Sequence, residues 1–144
     1  MKSKCIISKI NDINTSSTKF VIKRINEERL PILQNHASLF YILPEDGSKL
    51  LFNEIANIWK ISKSSLSDII NKYESQGLVQ KCTCAEDKRS VYISLTSEAL
   101  YIKEKLQNME SEFLDLLLSD FDKNQREIFE DNIDKALDNL RKML

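Results

Sequence analysis

The sequence predicts a mainly α fold with a small β wing. It is a winged helix-turn-helix lobe flanked by long N- and C-terminal helices. Three observations carry this expectation. Gly and Pro are scarce, two of each in 144 residues, so few turns are obligatory. Helical apolar spacing runs through both ends of the chain. Between them, residues 62–96 pass from a hydroxyl-rich amphipathic helix, through Gly77, into two alternating strands with the charged tip AEDKRS.

From Ile6 to Leu30 the apolar positions Ile6, Ile10, Ile13, Phe20, Val21 and Ile25 recur at roughly helical spacing. The polar run Asn14–Thr18 predicts a late helix start or a bend. Pro31 stands where a second helix would begin, and residues 32–43 are apolar enough for a buried one. PEDG at 44–47 is a turn signal. Residues 52–59 form a short helix with Ile55, Ala56 and Trp59 on one side, and Ile61 closes a brief turn. Ser62 is the expected N-cap of a helix over 62–76 that points Leu66, Ile69, Ile70 and Tyr73 inward and ends at Gly77. Residues 78–83 and 90–95 alternate as strands of a wing over 78–95, with Val91, Ile93 and Leu95 on one face. Two long helices follow. Their seams run through Ile102, Leu106, Met109, Phe113 and Leu116 or Leu117, then Phe129, Ile133, Ala136, Leu140 and Met143 or Leu144. Seams this narrow suit helices packed lengthwise.

The length suits one domain, 1–144, with 31–96 as the central lobe and 1–30 and 97–144 as the flanking helices. A composition of 42% hydrophobic and 30% charged residues is that of a folded soluble protein. No apolar run is long enough for a signal peptide or a membrane span, so a cytoplasmic protein with no membrane partner is expected. Cys5, Cys82 and Cys84 would there be thiols. The net charge of −1 is unevenly spread: residues 1–59 and 60–96 each carry +2, while residues 97–144 hold 7 basic against 12 acidic groups. Such a distribution permits a phosphate-binding face without demanding one.

The two short helices around Lys60–Ile61 form a helix-turn-helix, whose second helix lies in the major groove of double-stranded DNA with its N-terminal residues at base edges. The outward residues Ser62, Lys63, Ser64, Ser65, Ser67, Asn71 and Lys72 can donate to phosphate or read bases, and the helix N-terminus adds partial positive charge. Asp68 lies among them. At the wing tip, Asp87, Lys88 and Arg89 complete the candidate DNA contacts. Arg89 suits a narrow minor groove, and Asp87 is placed to orient its guanidinium. Cys82 and Cys84 share a strand face, spaced poorly for a mutual disulfide. They read as small strand residues, as a redox switch, or as part of a metal site with Cys5 or His36. That ligand set lacks the paired spacing of structural zinc, so no metal and no cofactor is expected. His36, on an apolar helix, is a core residue or an effector-pocket contact. With no glycine-rich phosphate loop, no Ser/His/Asp arrangement and one histidine, enzyme activity is not expected.

This constellation resembles the MarR family of winged-helix transcriptional regulators. Asn53-Glu54-Ile55-Ala56 is similar to the family's helix before the turn, and Ser62-Lys63-Ser64-Ser65-Leu66-Ser67 to the start of its recognition helix. Tyr73-Glu74-Ser75-Gln76-Gly77-Leu78-Val79 resembles the helix exit. Asp87-Lys88-Arg89, with Val91 and Leu95-Thr96, resembles the wing. The match runs without a gap from about Asn53 to Gly77. The resemblance implies that 1–30 and 97–144 are dimerisation helices, which interlock in an obligate homodimer on a pseudo-palindromic operator. It also implies a repressor, released by a small-molecule effector bound between the dimer helices and the lobe or by cysteine oxidation. Three positions depart from the pattern: Lys60 and Ala99 replace usual glycines, and Asp68 stands where a basic residue is common. The competing expectation is a winged-helix dimer that acts as a protein–protein adaptor without binding DNA.

Overall fold

The computed structural model describes residues 5–83, 86–87 and 89–144. The chain divides into two compact units, Met1–Glu110 and Ser111–Leu144.

The first unit opens with α1, Ile6–Glu28. This helix runs unbroken through Asn14–Thr18, so the expected late start does not occur. Asn14, Thr15 and Ser16 are exposed and keep their water. Each costs at most about 0.7 kcal/mol of helix propensity relative to alanine, too little to interrupt a helix of 23 residues. It ends where Arg29 turns left-handed (φ 54°) and the Leu30 N–H reaches back to the Ile25 carbonyl at 3.0 Å.

The segment after Pro31 is not one helix. Leu33 is extended, and only then do a 3₁₀ turn, Gln34–His36, and α2, Ala37–Ile42, begin. The reason is tertiary: the Leu33 N–H donates to the Tyr73 hydroxyl at 3.2 Å, which anchors the segment to a distant helix. PEDG turns as expected, with Gly47 at φ 80°. A two-residue strand, β1 at Leu50–Leu51, leads directly into α3, Phe52–Trp59. Then come α4, Lys63–Ser75, β2, Val79–Thr83, and β3, Val91–Leu95. The antiparallel sheet has the order β1-β3-β2, with Val79 opposite Leu95 and Leu50 opposite Ile93.

A 3₁₀ turn at Ser97–Ala99 starts α5, Leu100–Leu117, which buries Ile102, Leu106 and Met109. Leu39, Phe40, Leu43, Ile55, Leu66, Ile70, Tyr73, Ile93, Ile102 and Leu106 are sealed from solvent and form the centre of the core. Each such side chain contributes roughly 1.5–3 kcal/mol by leaving water. Lys103 is buried among them, and its ammonium donates to the carbonyls of Tyr41 and Leu43 at the end of α2. It thereby supplies donors to carbonyls that the helix leaves unpaired.

The second unit is built on α6, Lys123–Met143, entered through a capping box in which Asp122 and Gln125 exchange side-chain and backbone hydrogen bonds. Phe121 and Phe129 meet edge to face at 5.8 Å, and Arg126 pairs with Asp115 at 2.7 Å. No residue of α6 is buried. No helix among the described residues is long and apolar enough to cross a membrane.

Candidate nucleic-acid interface

The junction between α3 and α4 is tight because Lys60 adopts the left-handed conformation (φ 60°). The Lys60 and Ile61 N–H groups both donate to the Ala56 carbonyl, at 2.8 and 3.3 Å. Glycine is the residue that meets this geometry without a Cβ penalty, so the departure noted in the sequence falls on a strained position. Ser62 then caps α4: its Oγ accepts the Ser65 N–H at 3.1 Å and lies 2.9 Å from Ser65 Oγ and 3.3 Å from Ser64 Oγ. The three hydroxyls form one cluster over the helix N-terminus, where unpaired N–H groups and the helix dipole favour an anion.

Leu66, Ile70 and Tyr73 bury one face of α4. Its other face exposes Ser62, Lys63, Ser64, Ser65, Asp68, Asn71 and Lys72, with Ser67 half-buried. These side chains therefore stand on one solvent-facing surface. Lys72 also lies 5.5 Å over the Tyr73 ring. The helix ends in a Schellman motif at Gly77 (φ 76°): the Leu78 N–H donates to Tyr73 at 2.9 Å and the Gly77 N–H to Glu74 at 3.0 Å. That reversal delivers the chain into β2.

Thr96 ties the base of the wing to the same turn, its hydroxyl donating to the Gly77 carbonyl at 2.7 Å and its N–H to Leu78 at 3.1 Å. The Leu-Thr pair thus fixes the wing against the end of α4. At the tip, Asp87 holds the backbone of the turn. Its described hydrogen bonds run from the Arg89 backbone N–H, at 3.0 Å, and from the Ser90 hydroxyl, at 3.1 Å, not from the Arg89 guanidinium. The carboxylate shapes the turn, and Arg89 stands exposed on it. Lys88 and Cys84 lie outside the described residues.

Two contributors were not singled out in the sequence. Lys81, on β2, donates to Asn71 Oδ1 and sits 3.4 Å from Glu74 Oε1, joining wing and helix. Lys49 lies 4.7 Å over the Tyr92 ring on the sheet. A cross-element contact of this kind leaves no periodic signal in a sequence.

His36 is half-buried and its Nδ1 is 2.8 Å from the Tyr73 hydroxyl. The same hydroxyl accepts the Leu33 N–H, so one oxygen ties His36 and the loop to α4. Burial, and secondarily the charge of Lys72, hold the His36 pKa below the ordinary histidine value. The residues lining an apolar pocket of about 330 Å³ are instead Ile22, Ile25, Asn26, Ile32, Leu33, Gln34 and Asn35. Cys5 and Cys82 are exposed thiols. Among the described residues, no group of three or more His, Cys, Asp or Glu side chains could hold a metal ion.

A family model described as the MarR family matches residues 33–90. The HTH-type transcriptional regulator FarR of Neisseria gonorrhoeae is 37% identical over 65 residues, a segment that is 45% of this chain and 44% of that protein. A MarR transcriptional regulator from Methanosarcina mazei is similar in structure, with a TM-score of 0.83 at 21% identity over 96% of this chain and 98% of that one. The S. aureus MepR–DNA complex gives a TM-score of 0.74 at 18% identity over 95% and 99% of the two chains. The central lobe thus matches the MarR family in sequence over residues 33–90, and the fold as a whole is that of MarR-type winged helix-turn-helix proteins.

Proposed function

We propose that this protein is a dimeric, sequence-specific DNA-binding transcriptional repressor. The observation that carries this reading is the shared exposure of the α4 N-terminal hydroxyls and Lys63 beside a wing that holds Arg89 at its tip. A helix of this kind lies in the major groove, with its capped N-terminus against phosphate and its outward side chains at base edges. Ser62, Ser64, Ser65, Ser67, Asn71, Lys63 and Lys72 make those contacts. Asp87 sets the turn that carries Lys88 and Arg89 to the backbone or the minor groove. The fold likeness to MepR bound to DNA supports the same placement.

The dimer is formed by the exposed apolar residues of the terminal helices, Ile6, Ile7 and Ile10 on α1 and Ile133, Leu137 and Leu140 on α6. It sets two copies of α4 on a pseudo-palindromic operator. The pocket beside α1 accepts an apolar effector whose binding releases DNA; a thiol at Cys82, opposite Tyr92 toward the tip end of β2, offers oxidation as a second route. In this reading the protein acts in the cytoplasm and catalyses nothing.

The test is a salt titration of duplex binding by the parent, Lys63→Ala and Arg89→Ala. Each replacement costs on the order of 1–3 kcal/mol if it removes a base contact, and lowers the salt slope by about one if it removes a phosphate contact. Variants that bind as tightly as the parent at every salt concentration defeat the assignment. The absence of duplex binding by the parent at low salt favours the adaptor reading, to which Asp68 and the net charge of −1 lend some weight.

A further inference from the structure

We infer that Lys81 sets the base preference of Asn71, so that this position reads hydrogen-bond acceptors and disfavours adenine. The inference rests on the proposed placement of α4 in the major groove. An asparagine amide carries a donor end and an acceptor end, and with both free it pairs bidentately with the N6 and N7 of adenine. Here the acceptor end is engaged: the Lys81 ammonium donates to Asn71 Oδ1. An ammonium has three donors and no acceptor, so the amide atom it faces must be the oxygen, and the NH₂ group is turned the other way.

Glu74, three residues further along α4, holds the same ammonium from another side at 3.4 Å. Lys81 is thus committed to two helix side chains rather than extended toward a phosphate. One of the two lone pairs of Oδ1 is thereby taken, and the pair adds the ammonium's remaining N–H to the donors of the amide NH₂. A positive charge on Oδ1 also repels the amino group that adenine would bring there. Guanine, with O6 and N7, and thymine, with O4, present acceptors in the major groove and suit the arrangement. Lys81 is accordingly a positioning residue: it acts through Asn71, and its effect is on which base is read.

The experiment selects binding sites from a randomised duplex library with the full-length parent, Lys81→Met, Asn71→Ala and the double variant, with a salt titration of each. Lys81 and Asn71 are both exposed, and a thermal melt of each variant checks that the fold is retained. The expected result is a shift toward adenine in Lys81→Met at one symmetry-related pair of positions, by about 5- to 150-fold, the range a bidentate pair supplies. The salt slope should not change. Asn71→Ala should erase the preference at those positions, and adding Lys81→Met should change nothing more. A parent that selects a site while Lys81→Met keeps every base preference overturns this inference and leaves DNA binding standing. So does a salt slope reduced by about one, which would make Lys81 a phosphate contact. A parent that selects nothing and shows no binding at low salt overturns the underlying reading itself.

Discussion

The lobe around α4 and the helix α6 place their apolar residues in opposite ways. In the first, Leu39, Phe40, Ile55, Leu66, Ile70 and Tyr73 are sealed, and the exposed face of α4 is polar. In the second, α6 buries nothing, and Ile133, Leu137 and Leu140 remain 43–46% exposed along one stripe. The same helical periodicity therefore means two things. In α4 it describes a helix satisfied by its own lobe. In α6 it describes a helix whose apolar face, in the proposed dimer, is completed by a second copy. A stripe spaced by four and three residues is the form such a seam takes.

Charging the stripe should have the largest effect on this contrast. Leu137→Asp would leave an uncompensated charge in the proposed seam and weaken dimerisation by about 3–5 kcal/mol, measured by sedimentation equilibrium. An unchanged dimer would place the seam elsewhere. In the first unit a comparable loss should appear in folding instead. Leu66→Ala removes a sealed core side chain and should cost about 2–5 kcal/mol in urea unfolding, with no change of its own in the dimer seam.

A smaller effect is expected at the join between the loop and α4. Tyr73→Phe removes the hydroxyl that serves both Leu33 and His36 and should cost about 1–3 kcal/mol. The same site gives a pH dependence. His36 has its folded-state pKa below the ordinary histidine value of 6.5, so the unfolded chain binds the proton more readily. Its contribution is present above the unfolded pKa and is lost as pH falls from about 6.5 through the lower folded value. It is the single histidine, so His36→Gln should flatten the stability profile between about pH 7.5 and 5.5 relative to the parent. A parent and variant with parallel profiles would remove His36 from the account.

The smallest effect has the opposite sign. Lys60→Gly relieves a left-handed backbone whose penalty is about 1–2 kcal/mol for an L-residue. Part of that gain is offset by the entropy glycine loses on folding, so a stabilisation of roughly 0.5–1 kcal/mol should appear in thermal unfolding. A destabilised variant would mean that the lysine side chain contributes a contact worth more than the strain.

Local chemistry made much of this legible in advance. Phe52–Trp59, the Ser62 cap, the exit at Gly77 and both wing strands each carry a signal within a few residues: an apolar side, a hydroxyl cap, a glycine, an alternation. What escaped depends on partners far along the chain. β1 is only two residues long and exists as a strand because β3 lies beside it. Leu33 is extended because Tyr73, forty residues later, takes its N–H. At the candidate interface the outward residues of α4 were readable from helical spacing. The Lys81 bridge and the backbone role of Asp87 were not, since each depends on where a turn places a side chain.

In the proposed dimer, paired α6 faces set two α4 helices apart on one duplex, and hydroxyl-radical footprinting of a selected site reads that spacing. Two protected half-sites related by a dyad are expected, with centres about 10–10.5 base pairs apart or a multiple of that spacing. Inserting five base pairs between them should abolish joint protection by turning one half-site to the opposite side of the helix. A single protected half-site, or joint protection that survives the insertion, would contradict this dimer.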